Sequence, residues 1–134
     1  MPTRQPARQP ARRPARPPGH RLPPHDAPSA AELVAAVREF LERDVLGALD
    51  GRTRFHALVA INSLAIAERE MELGPEQAAR HRDRLRAFGC PDDAALAAAI
   101  RAGELDDRHD ELKAALLEAA RDKLEVANPA YLDG

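Results

Sequence analysis

Residues 52–73 read R-T-R-F-H-A-L-V-A-I-N-S-L-A-I-A-E-R-E-M-E-L. This is the most apolar continuous segment of the chain, and its apolar residues recur at helical spacing. At about 100° per residue, Phe55, Leu58, Val59, Asn62, Ile66 and Leu73 fall on one face. Ile61, Leu64 and Ala65 carry the apolar surface further round, leaving His56, Ser63 and Glu70 as the clear polar strip. A helix apolar over so wide an arc needs neighbours on several sides, so the segment is expected to be the central helix of an all-α domain. Gly74-Pro75 is expected to end it, with Gly at the C-terminal cap and Pro opening the next element.

Toward the N-terminus, Ser29 followed by Glu32 is a capping box, and the stripe Leu33, Val37, Phe40, Leu41 follows at helical spacing. Gly47 and Asp50-Gly51 break that helix. Toward the C-terminus, Pro75 to Phe88 is expected to be a third helix, stopped by Gly89. A short fourth helix starts at Pro91-Asp92-Asp93, with Leu96 and Ile100 inward and Gly103 as its stop. A last helix runs from about Asp107 to Ala127, with Leu112, Leu116, Ala119 and Val126 on one face. Asn128-Pro129 ends it, because a residue before proline is pushed out of the α region. The expected architecture is a small antiparallel bundle of about five helices over residues 29–132.

Residues 1–28 differ from the rest. They hold nine of the twelve prolines, six Arg and one Asp, with the repeat Gln5-Pro6-Ala7-Arg8 returning as Gln9 to Arg12 and, loosely, as Arg13 to Arg16. Frequent proline removes amide donors and fixes φ, so a disordered, partly polyproline-II tail is expected. It carries +5, whereas the remaining 14 Lys/Arg and 21 Asp/Glu give the folded part −7. That acidic field opposes nucleic acid and anionic membranes. Nucleic-acid binding through the Arg-rich tail is the weaker alternative, because the tail has no aromatic residue on which a base could stack.

Aromatic residues are only 3% of the chain and Trp is absent, so the core must be built from Leu, Ile, Val and Ala. One cysteine, Cys90, excludes an internal disulfide and any multi-cysteine metal site. No apolar run approaches the roughly 20 residues of a membrane span. A cytoplasmic location is the resulting expectation. The sequence has no phosphate loop, no His-Glu-x-x-His and no nucleophile elbow. No catalytic residue, cofactor or metal is therefore assigned.

The anomalies are polar residues within apolar stripes: Asp44 on the first helix, Asn62 on the second and Lys123 on the last. A buried amide without partners costs about 1–3 kcal/mol, so each of these groups needs a partner, water or a ligand. Asp44 lies about 9 Å along the axis from Asn62 in a hairpin closing near residue 50. It is expected to pair instead with Arg52 or Arg54 at the hairpin end. Asn62 and Lys123, with Arg69 nearby, either set helix register or line an interhelical polar pocket.

The stretches P-S-A-A-E-L-V-A-A-V-R-E-F-L (28–41), L-D-G-R-T-R-F-H-A-L-V-A (49–60), A-I-R-A-G-E-L-D (99–106) and D-K-L-E-V-A-N-P-A-Y-L (122–132) resemble an uncharacterised family of short bacterial helical domains. The likeness covers nearly all of residues 28–132. Gly47 departs from it, standing where the family pattern has Pro. The resemblance implies a gene neighbourhood, or fusion, with kinases similar to aminoglycoside and choline phosphotransferases, near acyl-CoA dehydrogenases. It implies no activity. The expected function is accordingly that of a non-catalytic accessory domain acting with such a kinase. The alternative is a small-molecule-binding domain or enzyme using the pocket near Asn62 and Lys123.

Overall fold

A computed structural model describes Pro24 and residues 27–134. The expectation of a disordered tail over 1–28 falls almost wholly outside those residues. The described chain is all-α. Helix α1 spans Ala30–Phe40, α2 Gly51–Ala87, α3 Asp93–Arg101 and α4 His109–Ala127. A π-helical turn over Leu41–Val45 and a 3-10 turn over Leu46–Ala48 extend α1 to the hairpin end.

Local signals set most boundaries as expected. The Ser29 hydroxyl accepts from the Glu32 amide at 3.3 Å, and the Ser29 amide donates to Glu32 Oε2 at 2.6 Å, closing the capping box. Gly89 has a φ of +68°, and the amides of Gly89 and Cys90 donate back to the carbonyls of Arg86 and Leu85. Gly103, at φ +75°, repeats this pattern with the amides of Gly103 and Glu104 on Ile100 and Ala99. Both are Schellman stops, whose left-handed residue glycine tolerates best. Asp92 opens α3 by accepting from the Ala95 amide at 2.8 Å.

The break expected at Gly74-Pro75 does not occur. Residues 51–87 form one helix of 37 residues with Pro75 inside it, so the described residues form four α-helices where five were expected. At about 1.5 Å per residue the helix is roughly 55 Å long. Proline in a helix interior forfeits one hydrogen bond at a cost of about 3 kcal/mol. Contacts from α4 on both sides of the proline offset that loss. Arg69 Nε donates to the Val126 carbonyl at 2.7 Å, Gln77 Nε2 to the Asp122 carbonyl at 3.0 Å, and Arg84 to the Asp122 carboxylate at 2.6 Å.

The core also lies elsewhere than expected. Leu85, Phe88, Cys90, Leu96, Leu105 and Leu112 form its buried cluster, where the C-terminal end of α2 meets α3 and the start of α4. Arg108 closes it from outside, its guanidinium 4.6 Å from the Phe88 ring centroid and its Nη2 donating to the Ala87 carbonyl at 3.0 Å. Residues 52–73, by contrast, pack chiefly against α1. The buried Ala31 and Ala35 of α1, with Arg38, face α2, on which Ala57, Ile61, Leu64 and Glu68 recur at spacings of four, three and four. Small residues permit this close approach. The larger stripe of α1, Leu33, Val37 and Phe40, lies about 120–180° round the helix from those alanines and is exposed.

Candidate functional site

Three polar groups hold the helices in place. Between α1 and α2, Arg38 Nε donates to Glu68 Oε2 at 3.0 Å while its Nη1 reaches both Glu42 oxygens at 3.1 Å. Glu68 is buried. Burial works against the Arg38 charge, but the bonds to Glu68 and Glu42 prevail and raise its pKa. Between α2 and α4, the Asp122 carboxylate accepts from Arg80 at 2.8 Å and Arg84 at 2.6 Å. Burial pushes the Asp122 carboxyl up, yet the two guanidiniums outweigh it and hold its pKa below the usual aspartate value. Between α2 and α3, His81 Nε2 and Asp93 Oδ1 are 2.9 Å apart.

A groove of about 830 Å³ runs between α2, α3 and α4. Ile66, Leu85, Phe88, Leu96 and Val126 supply apolar lining, Asp93, Arg84, Asp122 and Lys123 supply charge, and the His81 imidazole lies among them. Arg84 Nε is buried beside it without an acceptor. Its volume and its mixture of apolar wall and few polar groups fall within the range of ligand sites. Among the described residues, no group of His, Cys, Asp and Glu could hold a metal ion. Cys90 is buried, with its thiol donating to the Phe88 carbonyl at 3.5 Å.

The residues flagged from the sequence are dispersed. Lys123 lines the groove and is exposed. Asn62 is also exposed and does not line it; Ile66, one turn further on, is the last α2 residue that does. Arg69 is half-buried and committed to the Val126 carbonyl. Asn62 was expected on the inward face of a central helix. Here that face has no cover, because α4 ends at Ala127, near the level of Arg69. At the hairpin end, Arg54 Nη1 donates to the Leu46 carbonyl at 2.6 Å and Arg52 Nε to His56 Nε2 at 3.2 Å. The expected pairing with Asp44 is therefore replaced. The Leu46 carbonyl accepts from the Leu49 amide at 3.3 Å and takes Arg54 as a second donor, while Asp44 stays exposed. His56, Ser63 and Glu70 are exposed, as the wheel indicated.

Large apolar side chains are exposed on both α1 and α2. Phe55 is 63% exposed, Val59 48% and Leu58 45%, and on α1 Phe40 is 56% exposed. No large side chain among the described residues is fully buried. The fold and these surfaces define a small all-α domain with an incomplete core and uncovered helical faces. The chain belongs to a family described as a domain of unknown function, DUF6285, whose sequence model matches residues 47–131. That match is narrower than the likeness read over 28–132 and leaves α1 outside it. Neither the curated proteins nor the solved structures compared contain a match. No helix among the described residues is long and apolar enough to cross a membrane.

Proposed function

We propose that this chain is a non-catalytic interaction domain that docks a protein partner through uncovered helical faces. The observation that carries this reading is the outward stripe Leu33, Val37 and Phe40, exposed on the side of α1 away from α2. An apolar helix face of that kind fits a hydrophobic groove on another protein. The family resemblance suggests the partner, a phosphotransferase-like kinase encoded nearby. Co-expression with that kinase and size-exclusion chromatography tests it. Co-elution that Val37→Asp and Phe40→Asp abolish is the expected result, and separate elution at micromolar concentration overturns it.

A second reading takes the groove as a small-molecule site near Lys123. The unsatisfied Arg84 Nε beside an apolar wall favours a carboxylate with an apolar tail. Thermal melts with medium-chain fatty acids test it: a concentration-dependent rise in Tm lost in Lys123→Ala supports the site, and an unchanged Tm removes it.

A further inference from the structure

The uncovered part of α2 is a continuation of a surface that is covered lower down. One stripe runs Phe55, Val59, Asn62, Ile66, Arg69, Leu73, Gln77, at helical spacing along the whole helix. Its lower half lies under α4, through Arg69 to Val126 and Gln77 to Asp122. Its upper half, from Phe55 to Asn62 with Leu58 alongside, is exposed among the described residues. We infer that a second copy of this chain covers it, its α2 lying antiparallel across the bare half in a symmetric dimer. This rests on the interaction-domain reading only in taking an uncovered apolar face as a docking surface; the kinase is assigned to α1, and the second copy to α2.

Three observations select this occupant. The bare stripe consists of Phe55, Leu58, Val59 and Asn62 and carries no charge, whereas the chain beyond residue 28 carries −7. Two acidic copies can therefore approach closely along this strip. The Asn62 amide, both donor and acceptor, can be satisfied by an identical surface. Orientation follows from α4. A parallel partner helix would run into α4 lower down, but an antiparallel one overlaps only the bare halves and starts where α4 stops. A pairing centred between Val59 and Asn62 sets each of these opposite the other's counterpart and Phe55 opposite Ile66.

The flanking charges agree with that register. Arg52 and Glu70 lie on the same flank of the stripe, at the same angle on the wheel, 18 residues or five turns apart. Antiparallel pairing about the same centre brings Arg52 of each copy opposite Glu70 of the other. Closure covers the exposed parts of Phe55, Leu58 and Val59, roughly 300 Å² from each copy, and the flanking Asn62, Arg52 and Glu70 add to it.

Sedimentation equilibrium on the full chain tests the inference. A mass of twice 14.6 kDa is expected at roughly 100 μM, where a Kd of order 10 μM already populates the dimer mostly. Val59→Asp should weaken association roughly 100-fold while leaving helical circular dichroism intact, because Val59 is half exposed in the monomer. Arg52→Glu should weaken it roughly five-fold, and adding Glu70→Arg should restore it. A monomer at 100 μM, or a dimer indifferent to Val59→Asp, overturns the proposal. Loss in Arg52→Glu without rescue by Glu70→Arg overturns the antiparallel register. Val37→Asp and Phe40→Asp should leave the dimer unchanged, so failure of the kinase reading and failure of this one give different results.

Discussion

The two ends of α2 are built from the same helix and have opposite fates. The N-terminal end is the more apolar in sequence, yet Phe55 is 63% exposed; the C-terminal end is rich in arginine, yet Leu85 is 6% exposed. Hydrophobicity of a segment therefore does not locate the core. What decides is whether other elements reach that level of the helix. Near Leu85 and Phe88, α3 and the start of α4 converge and the arginines find carboxylates on α4. Near Phe55 only the short turns over residues 41–48 are present among the described residues, and they leave its ring exposed.

This contrast can be broken most decisively in the lower core. Leu85→Ala should cost about 2–5 kcal/mol in chemical denaturation, since it leaves a cavity in a buried cluster. Asp122→Ala should cost about 2–3 kcal/mol, because it removes the acceptor of two charged donors and strands Arg84. Its pH dependence has a defined sign. The folded pKa of Asp122 is depressed, so its contribution is present above the unfolded value and is lost as pH falls through the folded one, below the ordinary 3.8. The stability gap between the wild type and Asp122→Asn should accordingly close on acidification.

Pro75→Ala sharpens the question of what holds the long helix together. Restoring the missing amide should raise stability by about 1–2 kcal/mol, part of the intrinsic proline penalty. The smallest effect is expected at the upper end. In dilute solution, Phe55→Ala should cost less than about 1 kcal/mol, where a buried Phe would cost about 3–5. Repeating that melt at high protein concentration gives the comparison its sharpest form: a cost that grows with concentration places Phe55 in an interface rather than in the monomer core.

Features set by neighbours in sequence were legible there. The Ser29–Glu32 capping box, the stops at Gly89 and Gly103 and the end at Asn128-Pro129 depend on a few consecutive residues, and each stands where the sequence placed it. Gly74-Pro75 has the same local appearance, but Gly74 takes no left-handed conformation, and α4 bridges the proline. Periodicity identified the stripes on α1 and α2 correctly as faces. It could not identify what covers them, because that depends on which side of α1 meets α2 and on where α4 ends. Glu68 was overlooked although it continues the Ala57, Ile61, Leu64 spacing; attention to that narrower second stripe would have found it. Asp122 gave no comparable signal, since its importance comes from arginines some 40 residues away.

Cys90 is the chain's single thiol, and it sits in the lower cluster with its sulfur bonded to the Phe88 carbonyl. That position makes it a native clock. The sulfur is buried in the closed fold, so its labelling rate rises with opening of the lower end. Separation of α1 from the upper half of α2 exposes no thiol and leaves no trace in that rate. One reagent and one residue thus resolve the two ends of a single helix in time as well as in space.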